Sequence, residues 1–405
     1  MNETLISFSS TSLLTAFILY LVSTVFFVFT VTGRTKSAQE KQKIKQKWGR
    51  LGFALTTVGF ILHAAYYIMR WIGQGHAPVS SMFEFMSFLA MMTVLGFIII
   101  YNMYKTTTLG VFVLPLAVTL LGWASVFDTT PQPLIPALQS HWLKLHVSTV
   151  ALGEGLFAVG FAAGLMYIIR TVDQNKSSWH TVTLEWCLAS ILMLVGFIAL
   201  VITFSALDYE VQFNYINERG QEQVITYALP ALAGPYQGEQ LTPERMSPLI
   251  ETPSWMQGRD APRKFNTLVW SVLCGGVMYL LLRLLARKRL GAVIQPWLAD
   301  LKPSMLDEIS YRAIVIAFPI FTLGGLVFAM IWAEEAWGRF WGWDPKEVWA
   351  LITWLFYAAY LHLRLTKGWE GLKSAWLAVL GFVIIMFNLV FVNLVISGLH
   401  SYVSG

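Results

Sequence analysis

The apolar residues of this chain come in blocks. LLTAFILYLVSTVFFVFTVT near the start is followed by further runs of similar length, parted by short polar segments. About 20 apolar residues is what an α-helix needs to cross the ~30 Å hydrocarbon core of a bilayer. The pattern predicts helical spans over 11–32, 52–71, 82–102, 108–127, 146–169, 183–205, 266–286, 311–333, 348–365 and 374–397. The span at 82–102 follows the turn GHAPVSS and reads as a crossing or a partly re-entrant segment. One sizeable polar stretch, 206–265, alternates in YEVQFNYI and QEQVITY, the period-2 signature of strands. The expected fold class is therefore an all-α polytopic integral membrane protein of about ten helices with a small extracytoplasmic insertion. Its parts are N-terminal helices over 1–205, the insertion at 206–265, and further helices over 266–405.

Composition agrees. Hydrophobic residues make up 56% of the 405 and charged residues 13%, and the mean hydropathy is +0.59; a soluble domain carries roughly 25% charged residues. The net charge of +5 reads as cytoplasmic loops, not nucleic-acid binding. Of the 28 Lys and Arg residues, 19 fall in loops on one side of the bundle, in segments such as RTKSAQEKQKIKQKWGR and RLLARKRL. That side is expected to face the cytoplasm. The 206–265 stretch, the loop WGRFWGWDPKE and both termini are then expected outside. The first apolar block lacks a basic n-region and a cleavage site, so it reads as a retained span. Cys187 and Cys274 stand alone in apolar helices, which argues against a thiol relay on this chain.

Candidate chemistry gathers in WGRFWGWDPKE, residues 337–347. Asp344 is a favoured N-cap, Pro345 suits the first helical position, and Glu347 can close a capping box. Interfacial belts account for one or two tryptophans at a helix end. They account poorly for Trp332, Trp337, Trp341, Trp343 and Trp349 with Phe340 among them, a density that suits a planar apolar ligand. Histidine in a span is costly and marks function by default. His146 opens one span and His400 follows the last, both at the level of the tryptophan loop. Two imidazoles beside an aromatic platform fit bis-histidine haem ligation. His362 lies 18 residues past Asp344, about 27 Å along the helix, and suits a deeper site. His63 lies mid-span and could face the bundle; each of these two histidines reads either as a ligand or as a hydrogen-bond partner of a neighbouring helix.

WAEEAWGRFWGWDPKEVWALITWLFYAAYLHLR resembles the tryptophan-rich "WWD" segment of the System II cytochrome c assembly proteins of the CcsA/ResC type. LKLHVSTVALGE, NLVISGLHSY and GHAPVSSMFEF are similar to other segments of that family. The resemblance implies haem b as substrate and ligand. It implies a ResB/Ccs1-type membrane subunit as partner and attachment of haem to the C-x-x-C-H thiols of apocytochrome c at the outer face of a bacterial cytoplasmic or thylakoid-type membrane. By residue, it implies that His146 and His400 are external axial ligands of the haem iron and His362 an intramembrane one. Trp337, Phe340, Trp341, Trp343 and Asp344 then form the haem-binding loop. It leaves His63 and His76 without a role. Two features depart from the family pattern: Glu334 stands where Asn is common, and 206–265 is long and polar. Glu334 and Glu335 read as solvated carboxylates at a helix end. The rival readings are a haem transporter or chaperone without a ligation role, a System I-type WWD protein, and a solute carrier whose tryptophans are only a belt.

Overall fold

The computed structural model describes residues 2–32, 37–131, 134, 139–216, 221–253 and 261–392. Ten helices among them are long and apolar enough to cross a membrane. The chain is an all-α multi-pass membrane protein carrying one small sheet.

Two compact units divide it: 1–173 with 294–405, and 174–293. In the first, α1 (Glu3–Thr32) pairs along its length with α2 (Ala38–Gln74). α2 has 37 residues, about 55 Å, far longer than the expected 52–71. It begins early because Ser37 caps it, accepting from the Glu40 N–H at 3.2 Å, and because AQEKQKIKQK is rich in helix formers. Trp48 on this extension stacks on Phe26 at 5.1 Å.

α3 (Met82–Tyr104) is one unbroken helix of 23 residues, about 35 Å long. The partly re-entrant alternative is thus set aside. A buried ion pair fixes its start: Arg70 Nε donates to Glu84 at 2.8 Å, both side chains at 1% exposure or less. Arg70 also donates to the Thr129 carbonyl at 2.9 Å, and Ser80 donates twice to Glu84. All the strong groups in this cluster have partners, as burial requires.

α4 (Thr107–Ala124) and α5 (His141–Thr171) follow. α5 is the spine of this unit and is buried almost continuously from Gly153 to Ile169. A Cβ at Gly155 would lie 2.6 Å from the Met92 carbonyl group. Only glycine lets α3 and α5 approach so closely, and small residues serve this purpose between membrane helices. α9 (Pro303–Thr322), a π-helical turn (Leu323–Phe328) and α10 (Ala329–Trp337) form one continuous rod over Pro303–Trp337. α11 (Pro345–Lys367) and α12 (Leu372–Phe387) pack beside it, and a second π turn covers Asn388–Val392. Arg364 on α11 binds Asp307 on α9 through two bonds, at 2.9 and 2.6 Å, and donates to Ser374 on α12 at 2.9 Å. This latch ties one end of three helices.

The second unit holds α6 (Trp179–Ala206), α7 (Ala261–Ala286) and most of α8 (Leu290–Ile294). Strands β1 (Val211–Ile216), β2 (Glu222–Tyr227) and β3 (Glu239–Gln240) form an antiparallel sheet of order β2-β1-β3. The alternating segments seen in the sequence fall on β1 and β2. Val211, Phe213, Tyr215, Ile225 and Tyr227 make its small core. Asn266 on α7 anchors the loop after β2 by exchanging two 2.8 Å bonds with the Ala233 backbone.

Candidate functional site

The DPKE segment behaves as its local physics demands. Asp344 caps α11 in a reciprocal capping box with Glu347. The Glu347 carboxylate accepts from the N–H groups of Asp344 at 3.1 Å and Gly342 at 2.7 Å. The tryptophan loop is therefore pinned to the helix that follows it. Gly338 ends α10 in the left-handed region with φ 66°, as glycine permits. The second turn of the loop does not use its glycine. Trp343 itself takes φ 58°, a conformation that non-glycine residues adopt at some strain.

That strain coincides with display. Trp343 is 71% exposed and Phe340 61%, while Trp341 meets Trp343 edge-on at 6.1 Å. Trp337 and Trp341 are half-buried. Trp337 packs on Trp332 at 4.9 Å, and Trp332 is 3% exposed. The cluster therefore has a sunk base, Trp332 and Trp337, and a projecting rim, Phe340 and Trp343. Rings held out in this way are open to a ligand, a partner or the membrane interface.

His146 joins the base. Its ring stacks on Trp332 with centroids 5.6 Å apart and planes 16° apart. Its Nδ1 lies 2.9 Å from the carbonyl oxygen of Gly324 in the π turn. A carbonyl only accepts, so Nδ1 carries a proton, and in the neutral ring Nε2 then holds the lone pair. That is the tautomer a metal ligand needs, with the oriented backbone partner usual for ligating histidines. The start of α5 is riveted to the same rod at two further points. Ser140, its N-cap, donates to Glu335, and Trp142 packs on Phe328 at 5.8 Å. Glu335 is exposed but is not merely solvated, as the sequence suggested; it holds the α5 terminus. From α11, Trp354 Nε1 donates to Thr322 at 2.9 Å, just before the π turn.

His362 has a different setting. It lies on an exposed face of α11 with Ile352, Leu355, Ala359 and Thr366, opposite the buried Thr353, Tyr357 and Tyr360. His63 is 1% exposed and packed between Tyr20 and Tyr66, an enclosure with no room for a porphyrin. His76 sits half-buried in the loop after α2, its Nδ1 3.1 Å from the Ala77 carbonyl. His400 lies outside the described residues. The structure thus brings His146 to the tryptophan base and holds His362 apart on another helix face. Trp332 belonged to the tryptophan cluster read from the sequence, whereas Gly324 and Glu335 are neighbours that sequence reasoning did not assign to the site. The Gly324-Gly325 pair inside an apolar span was the available signal.

Residues 267–400 match the family model described as "Cytochrome C assembly protein". That stretch takes in α11, the tryptophan loop and both π turns. Curated relatives extend over nearly all the chain. The "Cytochrome c biogenesis protein CcsA" of Gloeothece citriformis is 32% identical over 87% of this chain and 87% of its own length. Those of Rippkaea orientalis and Gloeobacter violaceus are 32% and 30% identical. The tryptophan loop lies inside this likeness, and the chain belongs to the CcsA family of cytochrome c biogenesis proteins, membrane proteins that act in cytochrome c assembly.

Proposed function

We propose that the chain binds haem b as its substrate at the outer face of the membrane and, with a ResB/Ccs1-type partner subunit, attaches it to the C-x-x-C-H motif of apocytochrome c. The observation that carries this reading is the setting of His146: a protonated Nδ1 on the Gly324 carbonyl, a ring plane held by Trp332, and the exposed rim of Phe340 and Trp343 on the same rod-and-loop element.

His146 supplies one axial ligand through Nε2 and His400 the other. The base of tryptophans bears on one face or edge of the macrocycle while the rim covers it. Asp344 acts through the cap that fixes the loop to α11. Held in this way, each vinyl group meets a thiol of the incoming cytochrome. The S–H adds across the C=C bond, sulfur to one carbon and hydrogen to the other, so no group leaves. The protein contributes position, worth several kcal/mol when reacting atoms are aligned, by about the magnitudes of intramolecular reactions. His362, displayed on an open helix face, suits an intramembrane ligand whose opposite number comes from the partner subunit.

Co-expression of this chain, its partner and an apocytochrome, followed by an assay for covalent haem, tests the proposal. His146→Ala and His400→Ala are expected to abolish attachment and the bis-histidine absorption spectrum. Attachment that survives both substitutions overturns the site. Wild-type protein that carries haem but never forms thioether bonds overturns the ligation role and leaves haem transport.

A further inference from the structure

The π turn at Leu323–Phe328 sits in the middle of an otherwise regular rod. Such single widened turns are uncommon and often fall at functional sites. Here the widening has a specific product. The Gly324 carbonyl accepts the Ala329 N–H five residues on, the π-type bond, and also receives His146 Nδ1 at 2.9 Å. Both its lone pairs are used, one for the helix and one for a side chain 178 positions earlier in the chain.

Glycine is required for this contact. A Cβ at 324 would lie 2.3 Å from Thr149 Oγ1 and 2.6 Å from the Val150 N. The second clash is with backbone and cannot be relieved by rotating a side chain. Thr149 and Val150 stand one turn beyond His146 on α5, so the separation forced by any side chain at 324 is delivered directly to His146. Trp332, two turns along the rod from Gly324, fixes the imidazole plane.

The geometry points to the Gly324 π turn as a positioning device for His146: its carbonyl selects the Nδ1–H tautomer, presents Nε2 to the iron and strengthens that nitrogen as a donor. The inference rests on the haem-binding reading for its purpose but not for its first test. A hydrogen-bonded N–H gives the ring partial imidazolate character, which raises ligand basicity, and loss of such a partner weakens metal binding about 10- to 100-fold.

The first measurement needs neither haem nor a variant fold. The haem-free protein is labelled with 15N-histidine, and the His146 resonances are assigned by their loss in His146→Ala. The expected result is a protonated Nδ1 and an unprotonated Nε2. An Nε2–H tautomer in the wild type overturns the inference whatever the protein does with haem. The second measurement compares haem titrations of wild type and Gly324→Ala, with Gly325→Ala as a neighbour whose Cβ would first meet the Phe321 ring, at 3.2 Å. Gly324→Ala is expected to bind haem about tenfold more weakly and to lose the Nδ1–H signature. Gly325→Ala is expected to keep that signature. Gly324→Ala protein that folds, keeps the tautomer and binds haem as the wild type does overturns it too. If the tautomer is as expected and the wild type binds no haem, the proposed function fails while the positioning contact stands.

Discussion

His146 and His362 are both imidazoles on membrane helices, yet the fold treats them in opposite ways. His146 is clasped: a carbonyl fixes one nitrogen, a tryptophan fixes the plane, and Ser140 and Trp142 tie its helix end to the rod that supplies both. His362 stands on an open face among Ile352, Leu355 and Ala359. What is fixed is its helix, through the Asp307–Arg364 latch two residues away. The contrast teaches that preorganisation can be local or borrowed. A ligand whose orienting groups lie in the same chain is ready alone. One displayed on a bare helix face waits for a neighbour to define its geometry.

The largest expected effect tests that division directly. The purified chain alone should retain haem at the His146 site, and His362→Ala should leave that spectrum unchanged. With the partner subunit present, His362→Ala should remove a second, distinct haem signal. Equal loss in both preparations would merge the two sites and break the comparison. Next in size is Trp332→Ala, which empties a buried ring position and should lower stability by about 4 kcal/mol. In the same thermal unfolding assay, Trp343→Ala should change stability little, because that ring is exposed and its backbone strained. Similar costs for the two would deny the distinction between base and rim.

Arg364→Ala leaves Asp307 largely buried without its cation and should cost about 3 kcal/mol. Replacing both partners by apolar residues should cost less than either single change, and a double-mutant cycle reads the difference. Asp344→Ala removes the α11 cap and should cost about 1 kcal/mol, with the tryptophan loop loosened and the latch end of the helix unaffected. The smallest effect is electrostatic. Asp300 is held below its ordinary carboxylate pKa by its hydrogen bond from Lys41 at 2.7 Å. A depressed carboxylate stabilises the fold above its unfolded pKa, and that contribution is lost as pH falls through the lower folded value. Both side chains are about half exposed, so the loss should be ~0.5 kcal/mol or less. It should be confined to pH below about 4 and should vanish in Asp300→Asn.

The hydrophobic blocks and the DPKE cap were legible because their causes are local: bilayer thickness sets one, and backbone donors within four residues set the other. α2 was misjudged in length because polar helix formers carry no hydrophobic signal. The clasp on His146 was illegible for a different reason. It joins residues 178 positions apart through a main-chain atom, and a carbonyl leaves no trace in residue identity beyond the two glycines of LGGLVF. Trp343 was illegible in the reverse sense: a glycine stands directly before it, yet the tryptophan takes the left-handed conformation. His63 looked available in sequence and proves walled in by Tyr20 and Tyr66, which come from α1 and α2.

The buried Arg70–Glu84 pair has a consequence for how the protein is made. Neither charge tolerates hydrocarbon alone, yet each is nearly fully enclosed with the other. They are 14 residues apart, one near the end of α2 and the other in the first turn of α3. A ribosome adding ~5–20 residues per second separates their emergence by about one to three seconds. The charges neutralise each other only once both helices exist, so α2 and α3 form one neutral hairpin whose two halves depend on each other.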